Sequence, residues 1–303
     1  MIGVTPIFYL WGQYQTESNA IQFQRESEAK HQLNFSQKEV HSIASKLSTS
    51  LKLLSGNRVL LEFIQDPSLK NRSLLESLWA LTATNYSYIS QVRFIGVDGK
   101  EISRINEEDG AIIIVPESEL QDKSHRDYFI YAQTLKVDAF GFFGIDLEVE
   151  HGKVVTPLKP SLRIFTPIEI NNERKGYLFF NLDIYEMVDK VEASLETGYQ
   201  LEFVNEEGYY LASQDKRKTL GHLIVERESY NVLIDTPELW QKMRTQNVGE
   251  FAEKQFFYSF AKVTLGDNFG RSSFYLLLSS ENNLATENVD HKLTIIIYDR
   301  HQT

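Results

Sequence analysis

RFIGVDGKEISR spans residues 93–104, and EFVNEEGYYLAS spans residues 202–213. Phe94 aligns with Phe203, Asp98 with Glu207, Gly99 with Gly208 and Ile102 with Leu211, without a gap. In the first copy, Val92, Phe94 and Ile95 lead into Asp98-Gly99, and Ile102 and Ile105 follow. Short apolar runs on both sides of an Asp-Gly pair are a strong hairpin signal. A second echo lies downstream of each copy. RIFTPI (163–168) then GYLFFNLD (176–183) corresponds to YSFAKV (258–263) then SFYLLLSSE (273–281). The polar turns Asn171-Asn172-Glu173 and Gly266-Asp267-Asn268 join the runs. Two matches in the same order argue for a duplicated unit.

Each unit reads as a hairpin, a helical or loop region, and then about three more strands. The middle of the first unit holds a helix at Asp127–Leu135 and a strand at Ala139–Glu150. The second holds a helix at Pro237–Gln246, capped by Thr236 or Asp235, and a strand at Gly249–Phe257. Five antiparallel strands with helices on one face make each unit an α+β layer. A helix at Ile184–Leu195 joins them, with Met187, Val188, Val191 and Leu195 on one face. Upstream of the first hairpin, Val59 to Ile64 and Leu74 to Leu81 carry a helical repeat around Pro67. The expected division is 1–56, a stalk helix; 57–197 and 198–283, two stacked sheet units; and 284–303, a terminal segment.

Gln13 to Ser55 contains neither Gly nor Pro. As one helix it would be roughly 60 Å long. Its second half carries an apolar stripe at Val40, Ile43, Ala44, Leu47, Leu51 and Leu54, while its first half is polar. No seven-residue repeat continues before Leu33, so the stripe suits packing on sheets better than a coiled coil. Two helices with a turn near Asn34 are the alternative. Val4 to Trp11 and Leu293 to Tyr298 are short apolar runs near the two ends. The aromatics Tyr9, Trp11 and Tyr14 suit a membrane interface, so the expectation is that both ends adjoin membrane spans. The plainer reading is a pair of terminal segments packed on the domain.

The composition, 42% hydrophobic and 24% charged, is that of a folded chain. A net charge of −11 with scattered Lys and Arg disfavours nucleic acid as a partner. With no cysteine there is no thiolate metal site and no thiol nucleophile. The seven histidines show no metal-ligand spacing, and no nucleophile elbow or phosphate loop occurs. No catalytic residue, metal or cofactor is therefore expected. Asp146, Glu148 and Glu150 alternate along one strand and read as a solvated face rather than a cation site.

A long N-terminal helix followed by two PAS-like sheets resembles the double Cache sensor domains found outside the membrane in bacterial receptors. The resemblance covers nearly the whole chain. It is most specific in LQDKSHRDYFIYA (120–132), DLEVEHG (146–152), KPSLRIFTPI (159–168) and KGYLFFNLD (175–183). Sensors of histidine kinases look closest, and diguanylate cyclases and chemoreceptors share the module. The resemblance implies a periplasmic or extracellular portion of an inner-membrane receptor. It implies a ligand in the membrane-distal first unit, flanking transmembrane helices, and a homodimer in the full-length protein. A soluble periplasmic binding protein is the alternative function.

Amino-acid-binding members carry Arg-x-Trp, then Tyr-x-Asp, then an Asp ending the last strand. The matching positions here are Arg126 and Tyr128, Gly144 and Asp146, and Asp183. The Arg and both acids match, while Tyr and Gly replace the two aromatics. A guanidinium offers two prongs to a ligand carboxylate, and an Asp offers an anion to an ammonium. The ligand class implied is an amino acid, an amine or a small carboxylate. Arg163 lies in a strand entering the expected pocket. Arg126 has an alternative, bracing its own helix through Asp122 or Asp127; Asp183 has one as a helix N-cap; and Tyr128 has one as a core aromatic. The second unit has no counterpart of the Arg126 motif, so its site is expected to be vestigial.

Overall fold

The structure, a computed structural model, describes residues 5–253, 255–265 and 273–281. The turn at Gly266-Asp267-Asn268 and the terminal segment 284–303, with its run Leu293–Tyr298, lie outside these residues. Helix α1 (Thr5–Ser55) is unbroken, so no turn interrupts it near Asn34. Nothing from Gln13 onward removes a backbone donor or frees the chain to bend. Its 51 residues give a length of about 76 Å. Ala29, Leu33, Val40, Ile43, Leu47, Leu51 and Leu54 form its buried stripe. Its first half is bare: Tyr9, Trp11 and Phe23 are 67%, 62% and 74% exposed.

Gly56 ends α1. Asn57 then caps α2 (Arg58–Gln65) by accepting from the Val59 N–H at 2.8 Å, and α3 (Leu69–Asn85) begins after Pro67. The first unit follows as β1 (Ile89–Gly96), β2 (Glu101–Glu108), β3 (Ala111–Ile114), α4 (Asp127–Gln133), β4 (Gly141–Leu147), β5 (Val149–Glu150), β6 (Lys153–Val154), β7 (Pro160–Ile170) and β8 (Glu173–Asp183). Helix α5 (Ile184–Glu192) leads to the second unit: β9 (Tyr199–Val204), β10 (Tyr210–Ala212), α6 (Val232–Asp235), α7 (Pro237–Thr245), β11 (Val248–Ala252), β12 (Phe256–Thr264) and β13 (Ser273–Glu281).

The two sheets share one antiparallel order. The first runs β3-β2-β1-β8-β7-β4 and the second β10-β9-β13-β12-β11. The first therefore has six strands where five were expected. Asp109 and Gly110, at φ 51° and 84°, turn the chain back on itself and add β3 at the edge. The hairpin β7–β8 turns through Asn171 and Asn172, at φ 54° and 63°. Two left-handed residues in a two-residue loop match the twist of the strands they join.

Two expected strands are each cut in two. Ala139–Glu150 divides into β4 and the ribbon strand β5, which pairs with β6. Gly249–Phe257 divides where the Glu253 N–H donates to the Phe256 carbonyl at 2.8 Å.

Alternation gives each sheet two buried faces. On one, Val92, Phe94, Leu162, Ile164 and Phe180 of the first sheet join Leu201, Phe203, Ala261, Leu276 and Leu278 of the second. Together with the α1 stripe and the Met187, Val188 and Val191 face of α5, they form one continuous core. The opposite faces are separate. Helix α4 covers the first through Tyr128, Phe129 and Ala132, and α7 covers the second through Leu239, Trp240 and Met243.

Candidate functional site

The face under α4 should be aromatic throughout, yet β1 places Arg93 in its middle. That strand is buried along all eight residues, so this guanidinium has no route to water. A charge there must be paired. The Arg93 Nη1 donates to Glu101 Oε1 at 3.0 Å, and Nη2 donates to Asn181 Oδ1 at 2.5 Å. A shift in the β1–β2 register between Phe94 and Ile95 sets Glu101 opposite Ile95, two residues along the strand from Arg93. Arg104 joins from β2, with its Nη1 3.3 Å from Glu101 and 2.9 Å from Glu150. Lys123 closes the group, its Nζ 2.9 Å from Gln121 Oε1 and 3.9 Å from Glu150.

Burial pushes the Glu150 carboxyl up, but Arg104 and Lys123 outweigh it and hold it below the usual carboxylate range. Burial, with Arg93 nearby, pushes Lys123 down to about 8.

Four of the five expected site residues meet beside this network. Arg126 occupies the N-cap position of α4 and Tyr128 its first turn. The Asp146 carboxylate bridges two arginines: Arg163 donates to Oδ1, and Arg126 Nη2 lies 3.8 Å from Oδ2. Three guanidiniums converge on the Tyr128 ring, with Arg163, Arg126 and Arg93 at 4.6, 5.5 and 5.6 Å from its centroid. Cations over an aromatic face gain about 0.5–2 kcal/mol each, more when desolvated. Tyr128 is also walled in, 2% exposed and edge-on to Phe143 and Phe179. Its ring is both a core aromatic and the surface that gathers the cations.

Asp183 is the residue that does not join. It caps α5, accepting from the Tyr185 and Glu186 N–H groups at 2.8 and 3.3 Å. It lies on the same sheet face as Asn181, two residues further along β8. Burial holds its carboxyl above the usual range against those two hydrogen bonds, and Glu148 adds to the rise.

The reading of Asp146, Glu148 and Glu150 as a solvated face is overturned. Glu148 is buried and accepts from Ser90 and Asn181, while Asp146 and Glu150 serve the arginines. The strand breaks after Leu147, and the chain folds its acids inward. Sequence reasoning also missed Arg93, Glu101, Arg104, Lys123 and Asn181. The available signal was Arg93 itself, a cation set in the run Val92-Arg93-Phe94-Ile95.

Among the described residues, no group of acids and histidines is placed to hold a metal, and no helix is long and apolar enough to cross a membrane.

The chain matches the family described as bacterial histidine kinase, sensor domain, over residues 23–278. No curated protein sequence matches it. Among solved structures it is similar to a domain from Vibrio parahaemolyticus assigned to the sensory box/GGDEF family. The identity is 30%, covering 86% of this chain and 99% of that one, with a TM-score of 0.78. It is equally similar to the extracellular domain of a protein assigned as histidine kinase vpHK1S-Z8, at 30% identity, 88% and 97% coverage and a TM-score of 0.76. The ligand-binding domain of the Campylobacter jejuni chemoreceptor Tlp3, in complex with L-valine, shares the fold alone. Its identity is 11%, with 89% and 98% coverage and a TM-score of 0.59. The double Cache architecture read from the sequence is thus that of its solved neighbours, and the chain belongs to the bacterial histidine kinase sensor domain family as the extracellular sensing part of a membrane receptor.

Proposed function

We propose that the first unit senses a small ligand bearing a carboxylate, an amino acid above all, and reports it through α1. The carrying observation is the convergence of Arg93, Arg126 and Arg163 on Tyr128 with Asp146 bridging two of them. A ligand carboxylate takes the place of the Asp146 carboxylate at Arg126, the more exposed of its two partners. Charge-assisted bonds of this kind contribute about 1.5–3 kcal/mol each. Asp183, at the acidic end of the same face with Glu148, answers a ligand ammonium through the oxygen not engaged in the cap.

Asp146 also offers a route for the signal. It lines a cavity of about 400 Å³ with Asn205, Glu206, Glu207 and His222 of the second unit. A ligand that draws Arg126 away from Asp146 changes a wall shared by both units. The conformer that binds ligand better is then enriched, with a coupling of about 1–3 kcal/mol.

The test is a thermal-shift screen of the 303-residue chain against amino acids, amines and small carboxylates. A ligand at a hundred times its Kd raises the midpoint by roughly 4–5 °C in a chain of this length. Arg126→Ala should abolish the shift while leaving the unliganded chain folded, because Arg126 is part-exposed. A panel with no stabilising compound, or an undiminished shift in Arg126→Ala, would remove the proposal.

In the full-length receptor the bare half of α1 is proposed to pair with a second copy beside the membrane. The chain has no cysteine, so Phe23→Cys, exposed on that half, provides a single reporter. Oxidation of the receptor in membranes should yield a disulfide-linked dimer, and a purely monomeric product would count against pairing.

A further inference from the structure

The duplicated sheets carry reversed charge at matching positions. Glu202 aligns with Arg93 in the two hairpin sequences, and the ladders agree. Arg93 lies opposite Phe179 where β1 meets β8, and Glu202 lies opposite Leu277 where β9 meets β13. Arg163 lies opposite Asn181, and the pair in that place in the second sheet is Tyr258 opposite Ser279. Arg104 aligns with Ser213. Three arginines of the first face have thus become an acid, a phenol and a hydroxyl.

The two faces are also filled differently. Tyr128 and its arginines pack the first. The second opens on a cavity of about 620 Å³ whose lining includes Glu202, Tyr210, Lys218, Asp235, Tyr258 and Ser279. An aromatic wall with two carboxylates inverts the chemistry of the first site. We propose that the second unit binds an organic cation, a primary or quaternary ammonium, with Glu202 as its anchor and Tyr210 and Tyr258 as its aromatic wall.

The details fit a cation seat. The Tyr210 hydroxyl donates to Asp235 Oδ2 at 2.9 Å, which fixes the ring, and Lys218 Nζ lies 5.6 Å from that ring's centroid. The chain's own ammonium therefore stands where a ligand's would. Ammonium groups are held by aromatic faces, more strongly as water is excluded. Ser213 donates to Glu202 Oε1 at 2.6 Å. Burial pushes the Glu202 carboxyl up, Asp235 and Glu192 add to the rise, and the Ser213 hydrogen bond and Lys218 oppose it. A second cation relieves that burden. The same acids repel carboxylates, so the two units take opposite ligands. The expectation of a vestigial second site rested on the missing arginine, and that absence is what suits the cavity to a cation.

The test is calorimetric titration of the 303-residue chain with choline, putrescine and tetramethylammonium. At least one should bind saturably. Glu202→Gln, which keeps the side chain's shape, should weaken it about tenfold or more. Lys218→Met should tighten it by removing the internal competitor, and Arg126→Ala should leave it unchanged. Should Glu202→Gln not fold, Asp235→Asn at the exposed rim gives the same reading. Absence of binding by both wild type and Lys218→Met would overturn the proposal. So would undiminished binding by the Glu202 or Asp235 variant, or its loss in Arg126→Ala, which would place the cation in the first unit.

Discussion

Glu101→Leu should cost the chain about 3–5 kcal/mol, the loss typical when one partner of a buried ion pair is removed. The Glu101 carboxylate has a side-chain exposure of 0% and serves Arg93, at 2%, and Arg104, at 5%. It also accepts from the Gln121 N–H at 3.1 Å, which ties the loop before α4 to the sheet. Leucine fills the space but leaves the buried Arg93 guanidinium without an anion and Arg104 with Glu150 alone. Urea unfolding followed by circular dichroism gives the measurement. The double variant Arg93→Met/Glu101→Leu should recover part of the loss, since a well-packed apolar pair often replaces a buried ion pair at little cost. A positive coupling energy in the four-variant cycle isolates the pair. A loss below about 1 kcal/mol for Glu101→Leu would show the pair to be solvated in practice. The arginine cluster would then lack the rigidity a ligand site requires.

The parts of the fold legible in sequence are those fixed by local geometry. Asp98-Gly99 and Asn171-Asn172 are turns because the backbone is left-handed at Gly99 and at both asparagines, and both mark hairpins. The helix α1 was legible from Gln13 to Ser55 because nothing in that stretch breaks a helix. The strand β3 was not, although the same signal stood before it in Asp109-Gly110. Its Ala-Ile-Ile-Ile run is half-exposed at a sheet edge and carries no alternation to announce a buried face.

The site divides along the same line. Arg126, Tyr128 and Asp146 were reached through a motif and Arg163 through its place in a strand entering the expected pocket, and the four meet. Arg93, Glu101, Arg104 and Lys123 were not reached, because their pairing depends on a register shift within one hairpin and on the returning loop at 121–123. Such long-range pairings leave no periodic trace. The charge reversal between Arg93 and Glu202 was nonetheless present in the gapless alignment of the two hairpins.

Leu33→Ala and Leu51→Ala should each cost about 2–5 kcal/mol, as deletions in a packed core do, and each should weaken both units together. Leu33 follows Gln32, whose side chain accepts from the Glu196 N–H at the entrance to the second sheet. Leu51 follows Ser50, whose hydroxyl contacts that of Tyr86 at the entrance to the first. Both leucines belong to the one core that runs along α1 under the two sheets. The tryptophans make the test direct. Trp79 in α3 is buried beside the first sheet, Trp240 in α7 beneath the second, and Trp11 is exposed. With Trp11→Phe as background, variants keeping only Trp79 or only Trp240 report each unit alone. Coincident urea midpoints in the parent, displaced together by either leucine substitution, are the expected result. If Leu33→Ala moves only the Trp240 transition and Leu51→Ala only that of Trp79, the units open independently. The helix would then carry no two-state change from the first unit toward the membrane, since coupling needs an element whose equilibrium both sites bias.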